Sequence, residues 1–155
     1  DGAPVGDGDL VIAGTSEQEL DRAGIALDGR ERVRLAGVLE PAAYRGLLRS
    51  ARVYVCAARR EDYGIAQLEA LADGCRLVTT PSPGPYVALA VARALDARLV
   101  GDDLVAGLRA ALAEPRPGYA ERAAAALAPF RRAASDRIVA EELLPRLFTQ
   151  SAQLV

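Results

Sequence analysis

The stretch Glu61-Asp62-Tyr63-Gly64-Ile65-Ala66-Gln67-Leu68-Glu69, continued by Ala70-Leu71-Ala72-Asp73-Gly74, decides how this chain reads. Two glutamates stand eight positions apart, with a glycine between them where a loop should pass into a helix. A second glycine, Gly74, ends that helix, and the apolar strand Arg76 to Thr80 follows. Gly64 leaves room for the backbone to approach a ligand. The N–H groups of Gly64, Ile65 and Ala66 have no partners within the helix, and the helix dipole adds about half a positive charge there, which suits a phosphate. Glu69 lies one turn further in, flanked by Ile65, Ala66 and Ala72 with Asp73 beside them. A carboxylate on such a flank needs hydrogen-bond donors, and the paired hydroxyls of a ribose would provide them. Glu61, still in the loop, would face the same cleft from the other side of Gly64. Taken singly, each glutamate reads as an ordinary solvated charge; the joint pattern is what points to a site.

Working outward, strands and helices alternate. Leu10 to Ala13 is a short apolar run closed by Gly14, and Thr15-Ser16 with Glu19 forms a helix start with a capping pair. Val33 to Ala36 is a second strand, and Pro41 opens a helix with Tyr44, Leu47, Leu48 and Ala51 on one face. Val53 to Ala57 is the third strand, followed by the charged loop Arg59 to Asp62. After the strand ending at Thr80 comes the rigid turn Pro81 to Pro85, a helix from Tyr86 to Ala94 and a short strand at Arg98 to Val100. The rest is helical: Leu104 to Leu112, Ala120 to Phe130, and Ser135 to Phe148 with Ile138, Val139, Leu143, Leu144 and Leu147 along one side. This alternation predicts an α/β fold, a Rossmann-like three-layer α/β/α arrangement on a doubly wound parallel sheet. Ligands then sit at the carboxyl ends of strands, where the Glu61–Glu69 unit falls.

Composition narrows the chemistry. The 155 residues suffice for one domain, and 51% of them are hydrophobic. The net charge of −2 gives nucleic acid no basic surface to bind. There is no histidine, which excludes imidazole bases, Ser-His-Asp triads and His-type metal sites within the chain. There is no lysine, which removes a P-loop lysine and a Schiff base. Nothing suggests a metal site or a bound cofactor. Cys56 and Cys75 stand in apolar surroundings and read as buried thiols of a reducing compartment. No run approaches the ~20 apolar residues that span a bilayer. The expected setting is the cytoplasm, with peripheral contact at a membrane surface as the second option. No Gly-x-Gly-x-x-Gly follows any strand, so a Rossmann dehydrogenase is disfavoured.

The ordered block Arg34-Leu35-Ala36-Gly37-Val38, Tyr44 to Ala51, Val53 to Ala57, Glu61 to Glu69 and Leu68-Glu69-Ala70-Leu71-Ala72-Asp73-Gly74 resembles the nucleotide-sugar domain of family 4 glycosyltransferases, retaining enzymes of GT-B architecture. The resemblance covers roughly residues 9 to 112. It implies a C-terminal, donor-binding half that moves a sugar from a UDP- or GDP-linked donor to a hydroxyl acceptor. It implies that Glu69 binds the ribose, that Glu61 is the catalytic-site carboxylate beside the transferred sugar, and that Gly64 and Ile65 offer amides to the diphosphate. Tyr63 stands where the family has an aromatic residue, often Phe. Backbone groups at Val38 and Leu39 would contact the base, and Gly84 would lie beside the donor sugar.

On this reading residues 1–8 are a flexible lead-in, 9–134 a Rossmann-like domain lacking its first strand and helix, and 135–155 a C-terminal helix and tail. The expected partners are a nucleotide-sugar donor and a missing N-terminal acceptor-binding domain. The pattern departs from the family at Ala57-Ala58-Arg59-Arg60, where a Ser or Thr is usual before the first Glu. The family's Arg and Lys for the leaving diphosphate would precede Asp1; Arg59 and Arg60 read as solvated loop residues. Two alternatives stay open: a non-catalytic α/β module that binds a partner through its late helices, and a fragment of a GT-B-like sugar-nucleotide epimerase.

Overall fold

A computed structural model describes residues 8–27 and 30–151, with the side chains of 149–151 excepted; most of the expected lead-in therefore lies outside the described residues. Parallel strand β1 (Leu10–Ala13) pairs with β2 (Val33–Gly37), Ile12 opposite Leu35. Strand β3 (Val53–Cys56) pairs in parallel with β4 (Arg76–Thr79), Val55 opposite Val78. Helices α1 (Glu17–Arg22), α2 (Pro41–Ser50) and α3 (Ile65–Ala72) make the connections. Helix α1 starts as its sequence predicts: the Ser16 hydroxyl accepts from the Glu19 N–H, and the Glu19 carboxylate accepts from the Ser16 N–H at 2.8 Å.

The architecture is α/β with parallel strands, as the alternation implied, but the sheet is not continuous. Among the described residues it consists of two two-stranded sheets, β1-β2 and β3-β4. The predicted strand at Arg98–Val100 is instead a 3-10 turn, Ala97–Leu99, and Val100 makes a single parallel bridge to Thr79. Asp96 explains the difference. Its carboxylate accepts from the Arg98 N–H at 3.2 Å and from the Arg98 guanidinium at 2.7 Å, which curls the backbone before it can extend.

The core gathers around β4. Leu77 and Val78 are fully buried beneath Leu68 and Leu71 of α3, Ala88, Ala92 and Leu95 of α4 (Val87–Asp96) and Ala111 of α5 (Leu104–Ala113). Burying one such Leu or Val contributes about 1.5–3 kcal/mol. Tyr119, at the start of α6 (Tyr119–Ala126), reaches under the sheet and accepts from the Leu77 N–H at 3.2 Å. The expected helix to Phe130 stops at Ala126 because Pro129 sits in the 3-10 turn Ala128–Phe130 that follows. The expected final helix is three segments: α7 (Arg132–Ile138), a π-helical turn Val139–Leu143 and α8 (Leu144–Ser151). No helix among the described residues is long and apolar enough to cross a membrane.

Candidate functional site

Helix α3 begins at Gly64, whose φ of 86° lies in the left-handed region. A Cβ at this position would lie 2.6 Å from Tyr86 Cε2 and 2.7 Å from Ala88 Cβ. The glycine is thus required twice over, for its φ and because Tyr86 and Ala88 fill the space a Cβ would occupy. The Ala88 N–H also donates to the Tyr63 carbonyl at 3.1 Å, which ties the start of α4 to the loop before α3.

Glu61 folds back onto the start of the same helix. Its Oε1 accepts from the N–H groups of Asp62 (3.1 Å), Tyr63 (3.4 Å) and Gly64 (3.1 Å). Its Oε2 accepts from Gln67 Nε2 at 2.8 Å. The Gln67 amide, then the three backbone N–H groups, hold this carboxyl below the usual carboxylate range against the opposing effect of burial. The helix start expected to hold a phosphate therefore carries the chain's own anion, and the Gly64 amide is engaged by Glu61.

Gln67 is a functional-site residue that the sequence pattern alone does not single out. It is 2% exposed and bridges Glu61 to Cys56 Sγ, the latter at 3.1 Å. A polar residue on the core-facing side of an otherwise apolar helix was the available signal. Gly84 presses against the same loop. Its φ is 119°, a Cβ there would collide with the Glu61 carbonyl oxygen, and the Glu61 N–H donates to Pro83 at 3.2 Å. Thr80 Oγ1 adds a 3.0 Å bond to the Ala58 carbonyl, and Ser82 Oγ donates to the same oxygen. The Ala57–Gly64 loop is therefore clamped along its length to the turn after β4.

Glu69 is half-buried on the opposite flank and lines a cavity of about 530 Å³ with Tyr63, Ile65, Arg45, Phe130, Arg131 and Ile138 among its walls. Among the described residues its carboxylate takes no hydrogen bond from another side chain. Arg45 is committed elsewhere: its guanidinium pairs with Asp73, one bond being 2.8 Å, and that hydrogen bond is the main reason the Asp73 carboxyl titrates low. Arg131, exposed at the cavity wall, makes a long 3.4 Å bond to the Ala124 carbonyl. Tyr63 and Phe130 meet edge to face at the rim, centroids 6.5 Å apart. Phe130 and Arg131 both lie beyond the Glu61–Gly74 block, and packing of α6 against α3 brings them here.

The structure does not bring every expected residue together. Val38, 83% exposed, and Leu39 line a different cavity, of about 640 Å³, with Ile12, Tyr44, Val53 and Val55. Arg59 and Arg60 are exposed, and Arg60 pairs with Asp62 at 3.4 Å. No group of three or more His, Cys, Asp or Glu side chains among the described residues could hold a metal ion.

In comparisons with known proteins, no curated protein and no solved structure matches the chain. One family does match: residues 3–114 fit the family described as glycosyl transferases group 1. That span contains β1 through α5, both glutamates and Gly64, so this chain belongs to the group 1 glycosyl transferases.

Proposed function

We propose that this chain is the donor-binding half of a retaining, family 4 glycosyltransferase of GT-B architecture, and that its donor is a UDP- or GDP-linked sugar. The observation that carries the reading is Glu69: a carboxylate without a side-chain donor, facing an apolar-walled cavity that also holds Arg131. A ribose supplies two adjacent donors to that carboxylate, each charge-assisted bond contributing about 1.5–3 kcal/mol. Glu61, kept ionised by its four donors, is the acceptor for hydroxyls of the transferred sugar. A diphosphate reaching the Gly64 and Ile65 amides takes the place of Glu61 Oε1 there and turns that carboxylate toward the sugar. When the anomeric carbon–oxygen bond breaks, its electron pair leaves on the diphosphate. Fixed amides and Arg131 are what this chain offers to that charge. Backbone groups at Val38 and Leu39 contact the base, and Gly84 lets the turn after β4 pack against the Glu61 loop beside the sugar. Acceptor recognition belongs to a separate domain, so the chain alone binds donor without turning it over.

Calorimetry with UDP and GDP tests this. Binding of one nucleotide, weakened about tenfold or more by Glu69→Ala, is the expected outcome. Affinity indifferent to that substitution sinks the ribose assignment. The competing reading, a non-catalytic partner-binding module, draws on the exposed Ile138, Leu143, Leu144 and Phe148 of the last helical segments, and it requires that neither nucleotide binds.

A further inference from the structure

Behind the Glu61–Gln67 contact lies a buried polar chain that reaches strand β4. Gln67, Thr79 and Tyr86 are all nearly sealed from solvent. Thr79 Oγ1 donates to the Thr80 carbonyl at 3.3 Å, which leaves the Tyr86 hydroxyl to donate to Thr79 at 2.9 Å. With its proton engaged there, the Tyr86 oxygen can only accept, and the Gln67 side chain hydrogen-bonds to it. Burial raises the Tyr86 phenol, so the group stays a neutral hydroxyl at neutral pH. Gln67 Nε2 also donates to Glu61 Oε2 at 2.8 Å and to Cys56 Sγ at 3.1 Å. An amide has a donor end and an acceptor end, and both Glu61 and Tyr86 call for the donor end. The flipped amide would set its carbonyl against a carboxylate and against a hydroxyl with no free proton.

We propose that Tyr86 is a positioning residue for glycosyl transfer: acting through Gln67, it fixes the place of the Glu61 carboxylate. The role given to Glu61 rests on the donor-site reading above, whereas its placement rests on hydrogen-bond geometry. Tyr86 stands at the start of α4, and its ring occupies the space beside Gly64, 2.6 Å from where a Cβ would lie. Packing thus carries its hydroxyl beneath the start of α3, within reach of Gln67. An amide already held in one orientation loses less freedom when it binds the carboxylate, which is how Tyr86 acts on a group it does not hold itself. Gln67 matters most when a diphosphate takes the Gly64 amide from Glu61 Oε1. Oε2 then stays anchored at Gln67, and the carboxylate turns about that bond instead of swinging free.

Carboxyl-resolved NMR titration of Glu61 in the chain without nucleotide tests the placement. Tyr86→Phe keeps the ring and removes the hydroxyl, and the Glu61 midpoint should rise toward the ordinary glutamate value by part of the change that Gln67→Leu produces. Thr79→Val should move it the same way and Thr79→Ser should leave it in place; this pair decides the matter if the Tyr86 variant fails to fold. Tyr119→Phe controls for a purely structural effect. It removes another buried phenol, one bonded to the Leu77 N–H, and should leave Glu61 unmoved. With saturating UDP or GDP, whichever binds, the Tyr86→Phe change should grow, since Gln67 is then the main donor left to Glu61. A Glu61 midpoint unmoved by both Tyr86→Phe and Thr79→Val overturns the proposal, as does an equal change in Tyr119→Phe or a change that bound nucleotide does not enlarge. If neither nucleotide binds, the donor-site reading is what fails, and the midpoints of the free chain still decide the role of Tyr86.

Discussion

Gly64 permits the sharpest check on the structure, because conformational strain and steric conflict coincide there and can be separated. Alanine at φ 86° adopts a left-handed conformation that costs roughly 1–2 kcal/mol. Its Cβ would also intrude to 2.6 Å from the Tyr86 ring and 2.7 Å from Ala88 Cβ, an overpacking that costs about 1–3 kcal/mol. The sum for Gly64→Ala is about 2–5 kcal/mol, a fall in Tm of about 4–20 °C for a chain this long. Gly74 supplies the control. Its φ is 95°, but nothing lies within 4 Å of a Cβ built there, so Gly74→Ala carries the strain alone. Urea denaturation of both variants at neutral pH reads the difference directly. Adding Ala88→Gly to Gly64→Ala should recover part of the steric share and none of the strain. Equal losses for the two single variants would refute the close approach of α4 to the start of α3, and with it the account of how the Glu61 loop is held.

Other consequences concern titratable groups. Replacing Gln67 by Leu removes the largest influence holding the Glu61 carboxyl low, so its midpoint in a carboxyl-resolved NMR titration should move up toward the ordinary glutamate value; an unchanged midpoint would show that the amide does not touch it. Asp96, 2% exposed and bonded to Arg98 and Arg116, also titrates below its ordinary value, chiefly through the Arg98 hydrogen bond. A depressed folded-state value means the stabilisation is fully present above the unfolded value of about 3.8 and fades as pH falls through the lower folded one. Asp96→Asn should therefore cost about 1–3 kcal/mol at pH 7 and progressively less in acid, as followed by denaturation at several pH values. Burial raises the Cys75 thiol to about 11, and its Sγ donates to the Leu48 carbonyl at 3.1 Å. A thiol reagent at pH 8 should leave Cys75 unmodified in the folded chain; prompt labelling would contradict its burial.

The local elements were legible because local chemistry makes them. The Ser16–Glu19 pair, Pro41, and the apolar runs of β1 to β4 carry their own start and stop signals, and each element formed within a residue or two of expectation. The departures come from contacts that an apolar periodicity does not register, even between near neighbours in the chain. The extended run at Arg98–Val100 lost to a buried Asp96 that binds Arg98, and the continuous last helix gave way to a π-helical turn. At the candidate site the family resemblance identified Glu61, Gly64 and Glu69, but not what surrounds them.

What the sequence by itself determined is the order of strands and helices, the glycine that starts α3 and the two carboxylates on either side of it. Those follow from residue type and short-range spacing. Tertiary structure alone decided that Gly64 makes way for Tyr86 and Ala88, that Gln67 and three backbone amides hold Glu61, and that Phe130 and Arg131 join Glu69 across a cavity. It also decided that Tyr119 reaches back to the Leu77 N–H of β4. The physical reason is the same in each case: close packing and hydrogen-bond satisfaction bring together residues whose separation along the chain carries no record of their meeting.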